Sequence, residues 1–192
     1  IEAHGVLDSS RKTTKYEHLL PLLFSLEEDN DVRGILILLN TLGGDVEAGL
    51  ALAEVIASMR TPSVSLVLGG GHSIGVPLAV AAKKCFIAPT ASMTLHPVRM
   101  NGTVLGVPQI SDYFGRIQDS IVDFIAANSR VSPETLRVLM QRNGQLMGEA
   151  GSVVYGPEAV ELGLCDSLGS LHEALECLHR MIDDSRGGER HE

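Results

Sequence analysis

Gly69-Gly70-Gly71-His72-Ser73-Ile74-Gly75-Val76-Pro77 follows directly on the apolar run Ser63 to Leu68. That order predicts a strand that ends and a helix that begins, with one hydroxyl set among glycines at the junction. Glycine takes left-handed backbone without steric cost and lets the chain pass close to a bound molecule. Ser73 can therefore sit on a sharp turn with its Oγ exposed, the usual presentation of a serine nucleophile. A tight turn in which Ser73 only caps the helix fits the same residues equally well.

On the N-terminal side, Gly34-Ile35-Leu36-Ile37-Leu38-Leu39 is a continuous apolar, partly β-branched run, the pattern of a central parallel strand covered on both faces. It leads into Asn40-Thr41-Leu42-Gly43-Gly44-Asp45. Val46 to Met59 then carries mostly small and aliphatic residues with only Glu47 and Glu54 charged, which predicts a well-buried helix whose N-terminus Asp45 and Glu47 serve. Strand 34–39, helix 46–59, strand 63–68, helix 74–82 and a short strand at Cys85 to Ile87 form consecutive βαβ units, an α/β fold with right-handed crossovers. The glycine turns at 43–44 and 69–71 both follow strands and share the carboxyl edge of one sheet, where sites form in such folds. An earlier helix is expected after Thr14-Lys15-Tyr16-Glu17, which has the spacing of a capping box ahead of Leu19 to Leu26, with Pro21 bending it or delaying its start.

On the C-terminal side, Ala91-Ser92-Met93-Thr94-Leu95-His96-Pro97 alternates apolar and polar positions and stops at a proline that keeps His96 extended, so His96 ends a short strand. Helices follow at about 109–127 and, after Ser132-Pro133-Glu134, at about 133–142, both able to project from the core. Residues 143–152 are glycine-rich and irregular. A short helix is expected from Pro157 to Leu162, a final amphipathic helix from Ser170 to Ile182, and a polar, mobile tail from Asp183 to Glu192. No repeat, low-complexity tract or linker divides the chain, so residues 1–192 read as one domain.

At 192 residues, 44% hydrophobic and 20% charged, the chain has ample length for a buried core. Its net charge of -9 argues against nucleic acid, which calls for a basic face. Cys85, Cys165 and Cys177 lie in apolar segments without metal-ligand spacing and read as small buried hydrophobes in a reducing, cytoplasmic compartment. Thr61 to Ala82 has no formal charge, yet its glycines, prolines, hydroxyls and His72 suit a buried strand, turn and helix rather than a membrane span. Ile1-Glu2-Ala3-His4 lacks the sections of a signal peptide, and the start at Ile1 leaves room for residues upstream.

Serine is a weak nucleophile at neutral pH, so Ser73 needs a base, for which His96 at the end of its strand is the candidate. It also needs an oxyanion hole, which the backbone N–H groups of Gly44 and Ile74 can form at the shared sheet edge. Gly71-His72-Ser73-Ile74-Gly75 matches the G-x-S-x-G pattern of α/β-hydrolases, but the histidine comes too early in the chain for that fold.

Taken together, the glycine-pair turn Asn40 to Gly49, the nucleophile turn Gly71 to Gly75, the histidine strand Met93 to Pro97 and the closing stretch Pro157 to Asp166 resemble the ClpP family of serine peptidases, most of all its TepA (translocation-enhancing protein) branch. The resemblance covers nearly the whole chain. It implies a ClpP/crotonase-like spiral of βαβ units with a projecting helical handle at 109–127, a serine peptidase mechanism without metal or organic cofactor, and a homo-oligomer of stacked rings. Peptide or protein substrates are implied, and an ATPase unfoldase is allowed as partner. One departure stands out: the position of the family's catalytic aspartate falls on Gly151. Glu149, two residues away, is the candidate acid for His96, against the alternative of a solvated loop carboxylate. His72 reads as structural, since neighbours on such a turn point their side chains apart. Two other functions compete with the peptidase: an assembly subunit whose triad has decayed, motivated by Gly151, and a crotonase-type acyl-CoA enzyme, which Ser73 and His96 in series argue against.

Overall fold

A computed structural model of the chain describes residues 14–99, 107–142 and 150–188. Its centre is the pair of long apolar strands, β1 (Ile35–Thr41) and β2 (Ser63–Gly71), which lie parallel with Ile35 opposite Ser63 and Leu39 opposite Val67. The register shifts after Leu39, so that Thr41 faces Gly71. β3 (Lys84–Ile87) runs parallel to β2 as far as Val67, and β4 (Ser92–Leu95) joins it further on, with Gly70 opposite Ser92. β5 (Ser152–Tyr155) pairs antiparallel with β4, and β6 (Ser167–Leu168) parallel with β3.

Parallel strands bury both faces, and helices cover them here. The larger apolar cluster joins Ile37, Leu39 and Val67 to α2 (Val46–Ser58), α3 (Gly75–Val80), α4 (Val107–Ala127) and α5 (Pro133–Gln141) through side chains such as Leu52, Val76, Ile125 and Leu136. On the opposite face Val64, Leu66 and Phe86 pack against Ala174 and Leu178 of α7 (Leu171–Gly188). α1 (Tyr16–Glu28) packs on α2, and α6 (Gly156–Glu161) lies against β4, β5 and β6. α2 starts where predicted because the Asp45 carboxylate accepts the Ala48 N–H at 2.8 Å. α5 starts where Ser132 caps it, with Pro133 in its first turn. Among the described residues no helix is long and apolar enough to cross a membrane, and Thr61 to Ala82 forms β2 and α3.

Several boundaries depart from the sequence reading. β2 does not stop at Leu68 but continues through Gly69–Gly71, because the bare backbone there pairs with β4 and receives the Asn40 side chain, whose Oδ1 accepts the Gly70 N–H at 3.0 Å. Ser152–Tyr155, to which the sequence reading assigned no strand, is β5, since the partner strand β4 supplies an order that four residues cannot specify alone. α7 runs past Ile182 to Gly188, because Asp183 to Arg186 contains no helix breaker. α1 begins at Tyr16, ahead of Pro21, so the proline neither delays it nor ends it, and Lys15 rather than Thr14 occupies the N-cap position. Cys85 and Cys165 are buried as expected, their Sγ atoms 3.2 Å apart, but Cys177 is only half-buried.

Candidate active site

Among the described residues Ser73 is the one non-glycine with left-handed backbone, at φ 56°. A Cβ makes that conformation unfavourable by about 1–2 kcal/mol, so the surroundings must impose it. They do so through the main chain. The Ser73 N–H donates to the Thr94 carbonyl at 2.8 Å, the His72 N–H to Thr41 at 3.1 Å, the Gly75 N–H to His72 at 2.9 Å and the Val76 N–H to Ser73 at 3.0 Å. The neighbouring turn presses against the same residue. Gly43, at φ 105°, leaves space where a Cβ would stand 2.7 Å from the Ser73 Cβ, so a side chain there would displace the nucleophile turn.

His96 lies directly after β4, half-buried, with Nδ1 2.7 Å from the carbonyl oxygen of Pro97. A carbonyl only accepts, so Nδ1 donates this bond, and in the neutral ring Nε2 then keeps its lone pair, the tautomer a general base requires. Ser73, His96, Gly44 and Ile74 line one cavity of about 200 Å³. Among the described residues neither the Gly44 nor the Ile74 N–H has a hydrogen-bond acceptor, which leaves both free to meet an oxyanion. The structure thus brings together four of the five residues singled out from the sequence.

The fifth, Glu149, lies outside the described residues. Gly151, where the resemblance implies the family's aspartate, is buried, has φ 140° and donates its N–H to the Arg142 carbonyl at 2.8 Å. His72 does not line the cavity. Its Nδ1 is 2.7 Å from the Thr94 hydroxyl, and burial pushes its imidazole below the ordinary value.

Sequence reasoning missed the cavity wall. Val46 and Val76, Ile121 and Ile125 of α4, and Met140 of α5 form an apolar lining, with Arg99 at its edge. Gln118 of α4 fastens this wall, accepting the Val98 N–H at 2.8 Å and donating to Met140 Sδ at 2.8 Å. Apolar residues at helical spacing look the same whether they face a core or a cavity, so only the pairing of α4 with α5 over β4 separates the two uses.

The longest described strand of a mixed α/β sheet thus runs out in glycines into a left-handed serine. The family model described as Clp protease matches residues 2–171, and the chain belongs to that family. It is 50% identical over 183 residues to the translocation-enhancing protein TepA of Halalkalibacterium halodurans, covering 95% of this chain and 72% of that protein, which supports a place in the TepA branch. It is 26% identical over 152 residues to the ATP-dependent Clp protease proteolytic subunit 1 of Chlamydia trachomatis serovar D, with 76% of this chain and 75% of that one covered. A solved structure of a ClpP1 variant from Listeria monocytogenes superimposes with a TM-score of 0.67 at 22% identity, covering 83% of this chain and 86% of that one, so the fold is that of ClpP.

Proposed function

We propose that the chain hydrolyses peptide bonds as a serine peptidase, with Ser73 as nucleophile and His96 as base. The observation that carries this reading is the convergence on one cavity of a left-handed serine, a histidine in its basic tautomer and two N–H groups without acceptors. In the reaction His96 Nε2 takes the proton of Ser73 Oγ as Oγ attacks the scissile carbonyl, and the Gly44 and Ile74 N–H groups stabilise the oxyanion. His96 then gives the proton to the leaving amine, and water repeats the sequence on the acyl-enzyme. The apolar lining from Val76, Ile121, Ile125 and Met140 admits an apolar side chain of a peptide. In keeping with the family, the chain acts as a homo-oligomer of stacked rings, with an ATPase unfoldase as the partner that would feed it protein substrates.

A fluorophosphonate probe followed by peptide mapping tests the chemistry. Labelling is expected at Ser73, and Ser73→Ala is expected to lose both the label and cleavage of a short fluorogenic peptide, with secondary structure unchanged. Cleavage by the Ser73→Ala protein at the parent rate would remove Ser73 from the role. A second reading, an assembly subunit with weak or no catalysis, draws on the absence of a side chain at Gly151 and on the neutral partner of His96. It predicts a folded, assembled protein that the probe does not label.

A further inference from the structure

His72 precedes the nucleophile, yet it is not among the residues that line the cavity Ser73 and His96 share, whereas its partner Thr94 is. It lies against Gly70, where an added Cβ would stand 2.7 Å from both Cδ2 and Nε2 of the ring. Gly70 is therefore the residue that admits the imidazole. Once seated, the ring places Nδ1 2.7 Å from the hydroxyl of Thr94. Thr94 belongs to β4, two residues before His96, and its carbonyl accepts the Ser73 N–H at 2.8 Å. One residue thus binds the nucleophile's amide through its main chain and the nucleophile's neighbour through its side chain, while its strand delivers the base.

The site has reason to need a second fastening. β4 meets β2 through one register pair, Gly70 opposite Ser92, and Ser73 keeps a backbone conformation that its own Cβ disfavours. Main-chain bonds alone let β4 slide or tilt against the turn by fractions of an ångström, and a mispositioned reacting pair loses rate steeply. We infer that His72 is a positioning residue: through the Thr94 hydroxyl it locks the Ser73 turn to β4 and so sets the approach of Ser73 Oγ to His96. The inference rests on the peptidase reading above.

The second-order rate constant for fluorophosphonate labelling of Ser73 reports the reactivity of the pair without a peptide. His72→Ala is expected to slow it by about 10- to 100-fold, with kcat on a short peptide falling by the same factor and KM within about twofold, because the lost contact orients the reacting groups and His72 itself lies outside the cavity lining. His72→Asn, whose amide stands near the place of Nδ1, is expected to recover most of the rate, which a merely space-filling role would not predict. Thr94→Val, which keeps the side chain's shape, is expected to match His72→Ala, and the double variant to lose no more than either single one. Should His72→Ala fail to fold, Thr94→Val still decides. Labelling of Thr94→Val or of folded His72→Ala at the parent rate overturns the inference and leaves the peptidase reading standing. Absence of labelling in the folded parent protein overturns both.

Discussion

In the proposed pair of nucleophile Ser73 and base His96, the further partner of the imidazole is a main-chain carbonyl, that of Pro97, where the resemblance to the family implies an aspartate. The difference has a size. A carboxylate both fixes the imidazole tautomer and stabilises the imidazolium that forms in the transition state, whereas a neutral carbonyl does the first and much less of the second. Losing the acid in a serine protease costs about 10⁴ in kcat, or about 5.5 kcal/mol. Glu149→Gln is the discriminating substitution. With the Pro97 carbonyl as the partner of Nδ1, kcat is expected to change by less than about fivefold, as for a solvated carboxylate. A fall of about three decades or more with KM unchanged, read from peptide turnover, would instead assign the acid's place to Glu149. Ser73 and His96 were singled out from the sequence because glycines before a hydroxyl and a proline after a histidine are local signals. The Pro97 carbonyl was not, since every residue carries one and no spacing marks the one that will be used. Thr94 was missed for a related reason: on an alternating strand a polar residue reads as solvent-facing, and its partner His72 lies on a different strand end.

The strands and helices themselves were legible wherever composition and punctuation agreed, as in Ile35 to Leu39 and in the Asp45-capped start of α2. β5 was illegible because its stability comes from β4, not from Ser152–Tyr155. A second tertiary device is the join between α1 and the turn after α2. The largely buried carboxylate of Glu27 accepts the N–H of Arg60 at 2.9 Å, the N–H of Thr61 at 3.2 Å and the hydroxyl of Thr61 at 2.8 Å. Burial alone would raise its pKa, but the Arg60 and Thr61 donors outweigh it and hold the group at about 2, against an ordinary 4.5. A carboxyl whose pKa is lower folded than unfolded binds fewer protons in the native state. Its contribution to stability is therefore complete above about pH 5 and is lost as pH falls through 4.5 toward 2. Glu27→Gln is expected to cost about 1–3 kcal/mol at pH 7 in urea unfolding. The gap to the parent should shrink when the titration is repeated at pH 4 and again at pH 3. A gap of constant size across those pH values would show that the charge contributes nothing.

Beyond single elements, the surface carries apolar side chains that no described element covers. Phe24 of α1 is 54% exposed and Tyr155 of β5 is 58% exposed, with Leu38, Leu68 and Leu171 also in the open. Leu38 and Leu68 follow from the strand alternation. β1 and β2 each send every second residue toward the face where α7 packs, but α7 contacts the parts near Leu36, Val64 and Leu66 and leaves the carboxyl ends uncovered. Together with the ring assembly proposed above, these exposed apolar side chains offer surface that a neighbouring chain can cover. The expectation is an assembly of many copies, each contact burying ~800 Å² per partner or more. Sedimentation velocity at micromolar concentration should then show a species many times the 20.5 kDa of one chain. Raising the salt should change it little, because apolar contact is not screened as surface charge is. A 20.5 kDa monomer under those conditions would leave Phe24 and Tyr155 in water and remove the ring from the proposal.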